Sequence, residues 1–487
     1  MGQVRRLRGI WCLLSVLLVS ALTLGWMPAT AMADDATPPN PQHMWTQGAQ
    51  EEAGETQPND SGIQLYSATT WPYWTTNSDG SKAFFDGERT AFANPAMKVI
   101  DVSEHQGSIN WSQVKASGVD AAIIRVGYGY GNVDKYFAQN LRGATQAGLH
   151  VGIYLYSYAY DANFALNEAN FVADMANQYG LGNMTLPIFY DLEKWSWTGY
   201  TCPSTPAQYT PIVNTFMNQM RNRGYTNVSI YTYRDYANTA LNTAAMRSRI
   251  SWIAEYNPTT IYTFPGYSGG QGWQYTSTER VNGINGNVDM SGFDEYLFKD
   301  TNSRSTPHYA DVKWLKQTGI TTGYTDNTYR GGDVVQRQDM AAFLRRLVST
   351  ANKSFNLKAA LNFSDVNSAT PHYADIEWLS RTGISNGWAM PNGTKEFRPS
   401  TGVLRQDMAA FLYRTAGSPA YTPSAADKAK FVDVNDSTPH AKEIWWCASK
   451  GITQGWNVNG RTEFRPGNVV IRQDMATFLH STYNVMK

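Results

Sequence analysis

Two stretches of this 487-residue chain place carboxylates where chemistry can be done. Met97-Lys-Val-Ile runs into Asp101-Val-Ser-Glu-His-Gln-Gly107, and Leu186-Pro-Ile-Phe-Tyr runs into Asp191-Leu-Glu193. In a strand, residues i and i+2 face the same side, so Asp191 and Glu193 share a face with Cα atoms about 6.6 Å apart, at roughly 3.3 Å rise per residue. Two carboxyls this close, following apolar residues, push each other's ionisation apart. One keeps its charge while the other holds a proton near neutrality. Glycosidic cleavage needs that division: an acid to protonate the leaving oxygen, and an anion to steady the positive transition state. A single acid of this kind is more simply read as a helix cap or an ion-pair partner. Asp101, Asp191 and Glu193 together, all at predicted strand ends, favour a site.

The elements that would position them are legible. Over residues 97–298, strand-type runs (MKVIDVS, AAIIRVGYG, HVGIYLYSYA, LPIFYDLE, VSIYTY, SWIAEYN) alternate with helical stretches such as 136–148 and 163–179. This implies an α/β fold with a mostly parallel sheet, doubly wound or closed as a barrel, and a site at the carboxyl ends of the strands. Tyr154, Tyr156 and Tyr158 alternate on one face, while Tyr128, Tyr231, Tyr256 and Trp273 fall at or near strand ends. Aromatic rings pack on the C–H faces of sugars and tyrosine hydroxyls satisfy sugar hydroxyls. Core packing explains any one of them equally well; as a group they favour a sugar-lined cleft.

The last third repeats itself. Thr306-Pro-His-Tyr-Ala-Asp returns as Thr370-Pro-His-Tyr-Ala-Asp and Thr438-Pro-His-Ala-Lys-Glu. Each copy continues with a tryptophan (Trp314, Trp378, Trp446), a Gly-Ile-x-x-Gly loop and a closing Arg-Gln-Asp-Met (from Arg337, Arg405 and Arg472). Met340, Phe343, Leu344 and Leu347 then form one apolar helix face. Each unit reads as helix, irregular loop, helix, over about 298–350, 363–416 and 431–483, burying its apolar faces against its neighbours. Cys447 takes the place of Leu315 and Leu379 in this register, which predicts a buried, unpaired thiol over a bridge to Cys202. The repeat histidines read as packing and loop-closing residues, not metal ligands.

Composition narrows the class. Lys plus Arg and Asp plus Glu are both 40, so the net charge is zero and no polyanion partner such as nucleic acid is expected. Aromatics reach 13%, which points to a folded chain. Arg5, Arg6 and Arg8, an apolar run over 10–26, and Ala31-Met32-Ala33 predict a secretory signal peptide over 1–33, with no membrane span after cleavage. Residues 34–62 read as a flexible linker and 63–96 as an extension packing on the barrel. No cofactor and no metal site are expected.

Several of these motifs carry a family likeness. DVSEHQG, the turn from Arg125, Ala147-Gly-Leu-His-Val-Gly-Ile-Tyr, Phe189-Tyr-Asp-Leu-Glu193, Trp252-Ile-Ala-Glu-Tyr, Trp273-Gln-Tyr and Asn287-Val-Asp289 resemble glycoside hydrolase family 25, the Chalaropsis-type N-acetylmuramidases. The resemblance implies an irregular TIM-like β/α barrel with fewer than eight repeats over 97–298. It also implies hydrolysis of the β-1,4 bond from N-acetylmuramic acid to N-acetylglucosamine in peptidoglycan. By it, Glu193 matches the general acid and Asp191 its nucleophilic or intermediate-steadying partner. Asp101 and Asp289 match the two remaining acids, while Glu104 and His105 fall outside the catalytic set. The C-terminal units, over 299–487, resemble S-layer homology repeats, whose closing arginine contacts an acidic wall polymer. This assigns Arg337, Arg405 and Arg472 to a cell-wall polymer, against the plainer reading that they pair with Asp339, Asp407 and Asp474 of their own repeats. The chain is then expected to be secreted, wall-associated and partnered with glycan strands. A non-catalytic surface adhesin, or a glycosidase acting on chitin-like oligomers, is the competing reading.

Overall fold

A computed structural model describes residues 37–41 and 71–487. The predicted signal peptide, nearly all of the predicted linker and residues 63–70 lie outside the described residues. Asn40–Lys487 belong to one compact unit, whose described residues hold both the sheet and the repeats.

Eleven strands build its main sheet: β1 (Tyr73–Thr76), β2 (Lys82–Phe85), β3 (Ala91–Val102), β4 (Ala121–Tyr128), β5 (Asn132–Val133), β6 (His150–Tyr156), β7 (Ile188–Asp191), β8 (Val228–Tyr233), β9 (Ile250–Ala254), β10 (Gly272–Glu279) and β11 (Val288–Asp294). Eight of them close on themselves in the order β3-β11-β10-β9-β8-β7-β6-β4, with β4 returning to pair with β3. All neighbours in this ring are parallel except those of β11, which runs antiparallel to both β10 and β3. Helices Trp111–Ala116, Phe137–Gln146, Ala162–Gln178 and Pro206–Asn222 follow β3, β4, β6 and β7, whereas no helix separates β9 from β10 or β10 from β11. The fold is thus a closed α/β barrel with an incomplete helical coat, as the family resemblance implies; the strand pattern alone leaves a doubly wound sheet open. The hairpin β1–β2 extends the sheet beyond β3, and Phe84 packs on Trp273 and Tyr275. A Cβ on Gly292 would meet Phe84 at 2.1 Å, so glycine is what lets the hairpin lie this close.

Alternation sorts the barrel residues. Met97 and Val99 of β3, Ala121 and Ile123 of β4, Phe189 of β7 and Phe293 of β11 fill the interior together with Trp252, whose indole N–H donates to Ser291 Oγ. The next inward position on β3, β4 and β7 is Asp101, Arg125 and Asp191, so the apolar fill gives way to a polar layer at the carboxyl ends of these strands.

The repeats form helix pairs: Tyr309–Gln317 with Arg337–Thr350, Tyr373–Thr382 with Arg405–Thr415, and Ala441–Ser449 with Arg472–Met486. They close into a ring. Val335 N–H donates to Val470 O, Val403 N–H to Val335 O and Val470 N–H to Val403 O, at 2.8–2.9 Å, which relates the three units cyclically around a shared core. Cys202 and Cys447 are unpaired, and Cys447 is buried in that core. The first repeat joins the barrel at the amino ends of its parallel strands: Asn327 Nδ2 donates to Asn183 O ahead of β7, and Arg304 pairs with Asp294 at the end of β11. The repeats therefore lie opposite the polar layer. No helix among the described residues is long and apolar enough to cross a membrane.

Candidate active site

Four carboxyls gather at the polar end of the barrel. Asp101 is the last but one residue of β3 and pairs in register with Asp289, near the start of the antiparallel β11; Asp191 ends β7; Glu193 follows two residues on. All are between 2 and 6% exposed. Asp101, Asp191 and Asp289 line a cavity shared with Arg125, Tyr156 and Tyr231. Glu193 does not line that cavity; it lies beside it, close enough to feel Asp191, Asp289 and Asp101. Leu192 points away between the two acids, held by its N–H to Tyr231 O at 3.0 Å and by Thr232 Oγ1 donating to its carbonyl at 2.6 Å. The strand pattern thus continues one residue beyond the last paired position, and both acids keep one side.

Burial raises the ionisation of all four, each in a different setting. Asp101 is pushed up to about 7 by burial, opposed by the amide of Gln274 (2.8 Å) and by a hydrogen bond from Asp289. Burial, the adjacent Asp101 charge and the hydrogen bond to Asp101 all push Asp289 well up. Asp191 is raised by burial and by Asp101, with Arg125 pulling the other way. Glu193 is raised by burial and then by Asp191, Asp289 and Asp101, with no cation opposing. The neighbouring Tyr231 hydroxyl opposes this rise as a hydrogen-bond donor, while it also lies 2.9 Å from Gln274 Oε1. Arg125 thus opposes the rise at Asp191 and no cation opposes it at Glu193, the asymmetry that a division between carboxylate and proton carrier needs.

The aromatic residues divide. Tyr156 and Tyr231 line the cavity, as does Tyr154. Tyr256 stands behind, its hydroxyl donating to Gln274 Oε1 at 2.9 Å. Tyr128 sits under the Arg125 guanidinium, and Tyr158 is packed against Trp195 and Trp197. Trp273 is placed elsewhere. It is fully buried outside the barrel against Phe84 and Phe92, its indole N–H donating to Glu255 O, because it alternates with the inward Gln274 on β10. Sequence reasoning passed over Arg125, Gln274, Trp252 and Ser103. The signal for Arg125 was present, a lone basic residue inside the apolar run AAIIRVGYG. Among the described residues no three of His, Cys, Asp and Glu are arranged to hold a metal ion.

The family model for glycosyl hydrolases family 25 matches residues 100–284, and that for the S-layer homology domain matches 297–341, 362–409 and 430–476. Residues 100–284 are a family 25 glycosyl hydrolase domain. Three S-layer homology repeats follow it. The chain is similar to Lysozyme M1 of Streptomyces globisporus (33% identity over 201 residues, 40% of this chain and 66% of the relative). It is also similar to the autolytic lysozyme of Clostridium acetobutylicum (30% over 199 residues, 41% and 56%). Among solved structures, the modular autolysin LytC of Streptococcus pneumoniae is 36% identical, with a TM-score of 0.43 over 45% of this chain and 52% of that one. The chain thus spans a little over half to just under two thirds of these relatives.

In the S-layer homology repeats, Arg337, Arg405 and Arg472 are 3–5% exposed. Each donates Nε at 2.8 Å to a backbone carbonyl of another repeat, namely that of Phe397, Phe464 and Tyr329 respectively. Their guanidiniums lie over Trp388, Trp456 and Tyr324 at 4.0–4.8 Å. Burial lowers Arg337 and Arg405 to about 10. The own-repeat ion pairs of the plainer reading (Arg337–Asp339, Arg405–Asp407, Arg472–Asp474) are absent among the described residues. Arg337 lies 3.9 Å from Asp407 of the next repeat, since residues two apart on a helix do not face each other. His308, His372 and His440 each sit in the left-handed region immediately before a helix, 3.6–3.9 Å from an aspartate of another repeat (Asp474, Asp339 and Asp407).

Proposed function

We propose that this chain is a peptidoglycan hydrolase that cuts the β-1,4 bond between N-acetylmuramic acid and N-acetylglucosamine, held on the cell wall by its repeats and acting outside the cell. What supports this is the gathering of Asp101, Asp191, Glu193 and Asp289 at the tyrosine-lined end of a closed barrel, where burial and neighbouring acids push Glu193 toward its protonated form and Arg125 opposes the same rise at Asp191. Glu193 gives its proton to the glycosidic oxygen as the bond to the sugar breaks. Asp191 stabilises the positive charge that develops, either directly or by steadying an acetamido-assisted intermediate. The Asp101–Asp289 pair, tied to Gln274, surrounds this centre with negative charge and keeps Glu193 protonated. Tyr156 and Tyr231 offer ring faces and hydroxyls to the sugars.

At the other end of the molecule, each of the three contacts between repeats holds a buried guanidinium over an aromatic ring. A guanidinium binds carboxylate or phosphate through its N–H groups, and with Nε engaged by a backbone carbonyl each of these arginines has its Nη groups left for an acidic wall polymer. With anchor and cleft on opposite ends, a wall-bound molecule presents its cleft outward from the anchoring layer. The test is digestion of purified peptidoglycan by the full chain, with mass spectrometry of the new reducing ends. Muramic acid at those ends supports the reading; N-acetylglucosamine there, or no release, removes it.

A further inference from the structure

The cleft has a second polar wall, and part of this chain lies against it. Glu104 and His105 stand on the turn Glu104–Gln106 after β3, and Arg125 projects from β4. Asn40 places its side-chain carboxamide between two of them: Nδ2 donates to Glu104 Oε1, and Oδ1 accepts from Arg125 Nη2 at 3.1 Å. Pro41, the next residue, is buried among the cavity-lining residues, and its carbonyl accepts from His105 Nε2 at 2.8 Å. The amide is thus read at both ends, its N–H by a carboxylate and its C=O by a guanidinium. The wall is held from behind. Asp134, 2% exposed, accepts from Arg125 Nε and from the Glu104 backbone N–H, both at 2.8 Å, and Lys135 lies 3.5 Å from Glu104. The donors and acceptor are therefore fixed before any ligand arrives.

We propose that Glu104, Arg125 and His105 form an amide-recognising subsite of the catalytic cleft, which takes a secondary amide of the glycan, and that Asn40–Pro41 fills it as an intramolecular competitor. This rests on the glycan-hydrolase reading. A secondary amide carries one donor and one acceptor in fixed relation, matching Glu104 and Arg125 together. An ammonium in its place would give Arg125 nothing to donate to and set like charges side by side. Peptidoglycan offers such amides from two sources, the 2-acetamido groups of its sugars and the peptide stem. A tethered competitor acts at an effective concentration set by its linker, so Asn40–Pro41 weakens the apparent affinity for either source without touching the acids.

The test measures binding by calorimetry with the full chain carrying Glu193→Gln, so that ligands are not consumed. The probes are an N-acetylglucosamine oligomer, the same oligomer de-N-acetylated, and a muramyl disaccharide bearing its peptide stem. Asn40→Ala should tighten an amide-bearing probe about tenfold, the order of one to two hydrogen bonds to charged groups. Adding Glu104→Ala should abolish that gain and cut the preference for acetylated over de-N-acetylated oligomer about tenfold; Glu104→Gln, whose oxygen still accepts, should retain most of both. Tightening confined to the oligomer assigns the acetamido group, and tightening confined to the stem-bearing disaccharide assigns the peptide amide. The proposal fails if Asn40→Ala alters neither probe, or if Glu104→Ala leaves every affinity and preference in place. Reducing ends released from peptidoglycan by the unmutated chain report separately on the hydrolase reading, so binding of this pattern without turnover would sink that reading and spare the subsite.

Discussion

Replacing Glu168 with Gln probes a proton stored directly beneath the catalytic rim. Glu168 lies fully buried on helix Ala162–Gln178 and accepts from the Tyr190 hydroxyl at 2.6 Å, the Ser157 hydroxyl at 2.9 Å and the Tyr158 backbone N–H at 2.8 Å. Burial pushes its carboxyl from 4.5 up to about 7 despite these three donors. An acid whose folded value is raised binds more protons folded than unfolded over that interval. Its contribution is therefore complete below about pH 4.5 and is lost as the pH rises through about 7. The interval is about 2.5 pH units, and at 1.36 kcal/mol per unit it amounts to about 3 kcal/mol. The Gln variant has no proton to lose and keeps one acceptor oxygen. Its stability should decline between pH 4.5 and 8 by about 3 kcal/mol less than that of the unmutated chain. Urea unfolding of the full chain across this range, followed by tryptophan fluorescence, reads the difference. Equal pH slopes for the two proteins would refute the reasoning. Activity carries a second readout, because Tyr190 precedes Asp191 and Ser157 follows Tyr156. Loosening this anchor should lower kcat with little change in KM.

Glu193→Gln should reduce turnover on peptidoglycan by about two to four orders of magnitude, the usual worth of a general acid, while glycan binding persists; unchanged turnover would remove Glu193 from that role. Arg405→Ala takes a buried guanidinium from Trp456 and breaks its bond to the Phe464 carbonyl, so thermal unfolding of the repeats should show a loss of about 2–4 kcal/mol. Arg405→Lys should not restore it, since an ammonium lacks the planar face that stacks and the fork that donates. An unshifted Tm in either variant would show that the ring does not depend on this contact.

How much was legible can be judged residue by residue. Alternation along LPIFYDLE placed Asp191 and Glu193 on one face and the strand-like run MKVIDVS placed Asp101 at a strand end, because the two-residue period of a strand is a local property of the backbone. The same rule, followed on β10, would have turned Trp273 outward and chosen Gln274; proximity to a strand end was a weaker guide than parity. The repeat register marked Cys447 as a core position and Arg337, Arg405 and Arg472 as a matched set, but not the repeat whose carbonyl each arginine would meet.

The linear order of residues, then, determined which side chains could act and where the chain turns from strand to helix, since both follow from neighbours a few positions apart. Tertiary closure decided the rest. It set Asp289 against Asp101 across antiparallel β11, brought the Arg125 charge to bear on Asp191, passed each repeat arginine to a different repeat, and brought Asn40 to Glu104. These depend on pairings between distant strands and on the low dielectric that burial creates. Neither is encoded in any short window of sequence.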